Sequence, residues 1–227
     1  MRNARPLVSF TFDDVPRSSC TRGRQILEGS GLRGSYYLSL GLMDSVYEIG
    51  AAFSRTDLEG LVAGGHELGS HTFEHLDAWT TPAGLFEASL RQNQRRLDEL
   101  HPGRIFRTLS YPRTTPRPAI KKAAGALYVC CRGGGQIPNV RTLDLNLVNS
   151  YFIDARNRDD LDAMKRAIDE TCASTGWLIF STHDIDERPS PYGCTPGVFE
   201  DLVKYARAAG PAILPVDEAW AQLGTEP

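Results

Sequence analysis

Two adjacent acids, Asp13 and Asp14, close a short apolar run, and a His71-x-x-x-His75 pair follows in the first third of the chain. Spacing of four puts both imidazoles on one side of a single helical turn, where one metal ion can reach them. Asp14 supplies a third ligand and a negative charge. Two histidines and one carboxylate leave positions open for water and substrate, as catalytic sites do and closed structural zinc sites do not. Asp13 stands beside that trio, so the set suits activation of a water molecule. The plainer reading of Asp13-Asp14 is a strand-to-loop signal ahead of Pro16, because Asp favours turns.

A third histidine, His183, ends the apolar run Ile179-Phe-Ser-Thr-His-Asp184. Imidazole protonates a leaving group near neutral pH, which other side chains do only after a large pKa shift. Asp184 either orients that ring or is a loop acid. His66, just before a strand, reads as structural, and His101 as a partner of a helix C-terminal dipole. Tyr192 lies in the proline-rich stretch 188–196, which is either a rigid connector or a lid over substrate, with substrate contact preferred.

The elements that must position these residues alternate. Strands are expected over 7–12, 34–40, 67–70, 106–111, 126–131, 145–153 and 177–182. Helices are expected over 22–28, from a capping box at Thr56-Asp-Leu-Glu59, over 82–100 with Leu85, Phe86, Leu90, Leu97 and Leu100 inward, and over 159–175, 196–209 and 216–223. Strand–helix alternation implies a parallel sheet. So many units in one domain favour an α/β fold that closes, or nearly closes, into a distorted (β/α) barrel of about seven parallel strands. Asp13-Asp14, His71, Tyr111-Pro112 and His183 then all fall at the carboxyl ends of strands, on the rim where such folds do their chemistry.

At 227 residues the chain fits a single domain, 1–227, long enough for a full core without disulfides. Its net charge of −3 argues against nucleic acid or an anionic membrane as the main partner. Five cysteines without a C-x-x-C spacing read as reduced thiols. The first strand starts soon after Met1 and no apolar run is long enough to span a membrane, so a cytoplasmic protein is expected.

At these residues the chain resembles the polysaccharide deacetylase family, the carbohydrate esterases with a NodB homology domain. Thr11-Phe12-Asp13-Asp14, Gly65-His-Glu-Leu-Gly-Ser-His71-Thr-Phe-Glu-His75 and Ser181-Thr-His183-Asp184 match three of its motifs in order. The resemblance implies a distorted barrel of seven parallel strands. It also implies a divalent metal, usually zinc, on Asp14, His71 and His75, with Asp13 as general base and His183 as general acid. The oxyanion is then held by the metal and the backbone N–H of Tyr111. The implied reaction removes an N-acetyl group from an amino sugar or oligosaccharide, a precursor of a surface glycan if the protein is intracellular.

The third motif departs from the family: Ser110 stands where an arginine usually holds the catalytic Asp. Arg113, beyond Pro112, is the candidate substitute, ahead of Arg107, and is also grouped with the oxyanion and substrate contacts. Ser181 replaces a hydrophobic residue and is expected to make one wall of the acetyl pocket polar. Asp154-Ala-Arg-Asn157 only suggests the fourth motif and receives no role. Two other readings remain: a sugar-binding module without catalysis, favoured by Ser110, and a hydrolase of another C–N amide bond, favoured by Ser181.

Overall fold

The computed structural model describes residues 4–224. In chain order the elements are β1 (Leu7–Asp13), a π-helical turn (Ser19–Gly23) leading into α1 (Arg24–Gly29), β2 (Ser35–Leu38), a hairpin of β3 (Val46–Tyr47) and β4 (Gly50–Ala51), and α2 (Arg55–Ala63). Next come β5 (Glu67–Ser70), α3 (Ala83–Leu100), β6 (Thr108–Ser110), α4 (Pro118–Gly125), β7 (Cys130–Arg132) and β8 (Tyr151–Phe152). The chain finishes with α5 (Leu161–Ser174), β9 (Trp177–Thr182), α6 (Pro196–Ala209), β10 (Ala212–Ile213) and α7 (Val216–Ala221).

Seven strands form one parallel sheet in the order β7-β6-β5-β2-β1-β9-β8, and β10 pairs with the start of β1. The sheet curls until its edges nearly meet. Val148, ahead of β8, bridges in parallel to Arg132 of β7, its N–H donating to Cys131 O at 2.9 Å. The single strand expected over 145–153 is therefore split: its first part closes the barrel against β7 and its second pairs with β9.

Period-two alternation decides what faces where. Val8, Phe10 and Phe12 of β1, Tyr36 of β2, Leu109 of β6, Cys131 of β7 and Leu178 and Phe180 of β9 belong to the main apolar core, which the helices cover. The alternate positions hold Ser9, Thr11, Asp13, Ser35, Tyr37, Thr108, Ser110, Arg132 and Ser181, all buried. The barrel interior is therefore largely polar. A smaller apolar cluster of Leu7, Trp177, Ile179, Val216 and Ala219 seals the end where the strands begin. At that end Glu67 accepts from Ser35 Oγ at 2.6 Å, from the Asp217 N–H at 3.1 Å, and from Thr108 Oγ1.

Other local expectations shift. The α2 cap is Ser54, whose hydroxyl accepts from the Asp57 N–H while Asp57 reaches back to the Ser54 N–H, so the capping box starts two residues before Thr56. Leu85 is 62% exposed and lies off the apolar stripe of α3. Helix α4, started by Pro118 at its first position, was not expected at all. Among the described residues no helix is long and apolar enough to cross a membrane.

Candidate active site

Asp14 and His75 reach the site through strained backbone. Asp14 follows β1 at φ 56° and His75 sits at φ 57°, both in the left-handed region that L residues seldom occupy. The segment 71–75 is not the helical turn that its spacing suggests. Thr72 is also left-handed, at φ 63°, and Thr72 Oγ1 and Ser89 Oγ take the Leu76 and Phe73 N–H groups that a helix would have used internally. The loop still brings the rings together, with centroids 5.0 Å apart.

Asp14 Oδ1 lies 3.5 Å from His71 Nε2 and 3.3 Å from His75 Nε2. Ligands about 2.1 Å from a tetrahedral ion stand roughly 3.4 Å from one another, so these spacings suit one ion. His71 Nδ1 lies 2.7 Å from the Ser110 carbonyl, to which it must donate, and this leaves the Nε2 lone pair facing Asp14. Asp14 Oδ1 is buried and finds no donor among the described residues. Burial pushes His71 down to about 3 and lowers His75, so both rings stay neutral, the form that binds metals. Burial also pushes Asp14 up to about 6. Three electron-pair donors converge with no proton between them, and a cation relieves that arrangement. The residues fit a divalent metal.

Asp13 points into the barrel and is 4% exposed. Its Oδ1 accepts from Arg132 Nη2 and its Oδ2 from Ser181 Oγ at 3.2 Å. Arg132, itself 1% exposed, also donates to Ser110 Oγ at 2.7 Å and Ser150 Oγ at 3.2 Å, and its guanidinium lies 4.9 Å over the Tyr37 ring. Burial alone would raise the Asp13 pKa. The Arg132 charge and its hydrogen bond outweigh it and hold the carboxyl well below the usual range.

Across the cleft, His183 Nε2 is 3.8 Å from Asp14 Oδ2. The Tyr192 carbonyl lies 3.2 Å from His183 Nδ1, so Nδ1 carries a hydrogen and Nε2 faces the metal trio. Tyr192 thus joins the connector and rim readings: its carbonyl sets the imidazole tautomer while its ring, 5.4 Å from that of His183, borders the cleft. Asp184 does not orient His183. It accepts from the Ser190 N–H at 2.7 Å and the Ser190 hydroxyl at 2.5 Å, holding the following loop. His66 is likewise structural, accepting from the Gly34 N–H at 3.0 Å against the Tyr36 ring. The cleft is about 540 Å³, within the range of small-ligand sites, and Asp13, Asp14, His71, His75, Tyr111, Arg113, His183 and Tyr192 all line it.

Residues 2–129 match the family described as polysaccharide deacetylase. The chain belongs to the polysaccharide deacetylase family. A curated relative, a chitin deacetylase from Pestalotiopsis sp, is 27% identical over 92 residues, covering 40% of this chain and 29% of that protein. The chain thus spans well under half the length of that relative. Among solved structures, the chitin deacetylase of Colletotrichum lindemuthianum superposes with a TM-score of 0.68 at 18% identity, covering 100% of this chain and 92% of that one. The Xyl-CE4 domain of a multidomain xylanase from the hindgut metagenome of Trinervitermes trinervoides gives 0.67 at 15% identity, covering 98% and 93%. At these identities the two structures speak for the fold, the curled seven-stranded barrel.

Within this polysaccharide deacetylase family member, three expectations about the third and last motifs change. The guanidinium beside Asp13 comes from Arg132, not from Arg113 or Arg107. Arg132 pairs in register with Ser110 across β6–β7, and a side chain as small as serine at 110 leaves room for it. Arg132 had one sequence signal, a lone charge ending the apolar run Val129-Cys130-Cys131. Ser181 is fully buried and donates to Asp13, so it does not form a wall of the acetyl pocket. The Tyr111 N–H donates to the Arg132 carbonyl at 2.9 Å, which withdraws it from an oxyanion. Two residues on, the Arg113 N–H has no partner among the described residues. Asp154 lines the cleft, and Arg156 grips both its oxygens at 2.5–3.0 Å.

Proposed function

We propose that this polysaccharide deacetylase family member is a metal-dependent N-deacetylase that hydrolyses the acetamide of an amino sugar in a glycan or glycan precursor, releasing acetate. The observation that carries this reading is Asp13 and His183 flanking the Asp14–His71–His75 trio in one cleft. A divalent ion there, zinc by preference, would polarise the amide carbonyl and lower the pKa of water from 15.7 towards ~7. Asp13, ionised beside Arg132, takes a proton from the attacking water. The water oxygen bonds to the carbonyl carbon, and a divalent ion held by the trio would offset the charge on the resulting oxyanion. His183, protonated at Nε2, gives its proton to the amine nitrogen as the C–N bond breaks. Acetate and the free amino sugar leave.

With Arg132 beside Asp13, the reading as a non-catalytic sugar-binding module loses the Ser110 argument that favoured it. With Ser181 turned to Asp13, the case for another amide substrate weakens in the same way. Acetate release from N-acetylated oligosaccharides by zinc-loaded protein tests the proposal. Asp13→Asn and His183→Ala should each lower the rate by about 10²-fold or more. A parent protein silent on a broad panel, or variants as fast as the parent, would overturn it.

A further inference from the structure

Arg113 is the one cation lining the cleft that has no carboxylate of its own among the described residues. Arg132 is paired with Asp13 and Arg156 with Asp154. Arg113 is exposed, lines the same cleft, and makes no ion pair or side-chain hydrogen bond among the described residues. Asp14, His71 and His75 line that cleft too, so the guanidinium and the metal trio face one space. Glu48, on the β3–β4 turn, also lines the rim, and among the described residues it forms no ion pair with Arg113. A guanidinium set beside a place built for a divalent cation repels that cation. The arrangement becomes favourable when an anion arrives with the substrate.

The backbone under Arg113 is held in an unusual conformation. Arg113 at φ 61° and Thr114 at φ 68° are successive left-handed residues, and the second is β-branched. Such conformations cost on the order of 1–3 kcal/mol each and persist where the surroundings fix them. Here the Thr114 N–H donates to Tyr111 O at 2.9 Å and the Thr115 N–H to Arg113 O at 2.9 Å. Gly133 packs so closely that a Cβ there would stand 2.6 Å from the Thr114 carbonyl oxygen. On the other side, the Ala78 N–H reaches Pro112 O at 3.4 Å and the Arg117 N–H reaches Ala78 O at 3.1 Å, tying this turn to the loop that follows His75. The point from which the Arg113 side chain departs is therefore fixed.

We propose that Arg113 reads a carboxylate on the substrate, so that the preferred substrate is an acidic glycan: an N-acetylated amino sugar that carries a carboxylate, or is linked directly to a sugar that does. The planar guanidinium fork matches a carboxylate with two parallel hydrogen bonds, and its exposure leaves those donors free. This inference rests on the deacetylase reading and names the substrate class of that same cleft. A competing role for the side chain is to stabilise the oxyanion, which would act equally on every substrate.

The test uses zinc-loaded parent, Arg113→Gln and Arg113→Lys with two oligosaccharides: an acetamido-sugar oligomer bearing a carboxylate, and the same oligomer with that carboxylate reduced to an alcohol. The parent should prefer the acidic oligomer by about tenfold or more in kcat/KM, with the preference shrinking as salt is added. Arg113→Gln should bring the ratio near unity, mainly through KM on the acidic oligomer, and Arg113→Lys should keep part of it. Equal parent rates on both oligomers, or a uniform fall in kcat for Arg113→Gln, would overturn the proposal. If the parent releases acetate from neither, the deacetylase reading fails by itself. Calorimetric binding of the two oligomers to parent and Arg113→Gln then decides the carboxylate preference: tighter acidic binding lost in the variant supports it, and equal binding overturns it.

Discussion

The Asp13 carboxylate is buried against a guanidinium that the sequence keeps 119 residues away. Replacing Arg132 by Gln should raise the Asp13 pKa, because the opposing charge is gone and burial acts alone. The acid limb of the kcat/KM profile should then move to higher pH, and stability should fall by about 3–5 kcal/mol as a buried carboxylate loses its partner. A pH–rate series and thermal unfolding check both; an unmoved acid limb would deny Arg132 its positioning role. Because Ser110 and Arg132 are register partners, Ser110→Arg combined with Arg132→Ser should recover part of the activity that Arg132→Ser alone loses. That Asp13, Asp14, His71, His75 and His183 would meet in one cleft could be read from the chain because short motifs hold them. Arg132 could not, since its relation to Asp13 exists only once the β6–β7 and β1–β9 pairs, with β5 and β2 between them, curl to face one interior.

At the scale of elements, the long strands β1 and β9, the short strand β5 and the helix α6 stand where sequence pattern and stop signals put them. The short pieces do not. Strands of two or three residues such as β8 and β10 carry too little pattern, and the 71–75 loop borrows hydrogen bonds from Thr72 and Ser89 that no periodicity announces. The same local chemistry moves the α2 cap, so Ser54→Ala should cost about 1 kcal/mol in denaturant unfolding while Thr56→Ala costs a few tenths. Gly69 on β5 faces the polar interior, where the Tyr37 ring occupies the space a Cβ would need. Gly69→Ala should push that ring towards Arg132, destabilise the fold by about 1–3 kcal/mol, and lower activity with it. Unchanged stability and activity would show that the ring has room to give.

At the scale of the whole molecule, the two ends of the barrel carry opposite demands. At the closed end, burial and the nearby Asp217 raise the Glu67 pKa, so its charged form is penalised in the folded state. That contribution favours folding at low pH and is lost as pH climbs above the ordinary glutamate range. At the open end, a metal joining Asp14 after β1 to the loop after β5 binds only the folded chain, so zinc should raise Tm, by about 2.7 kcal/mol of stability at a hundred times its Kd. Protons compete for Asp14 near pH 6, so that gain should shrink as pH falls through about 6. The most direct measurement strips the protein with a chelator, adds zinc stepwise, and follows acetate release from N-acetylated oligosaccharide for the parent and for His75→Ala. The rate should rise from near zero to a plateau at one zinc per chain in the parent and stay near zero in the variant. Full acetate release by the stripped parent, or a parent that binds one zinc and releases none, would contradict the account.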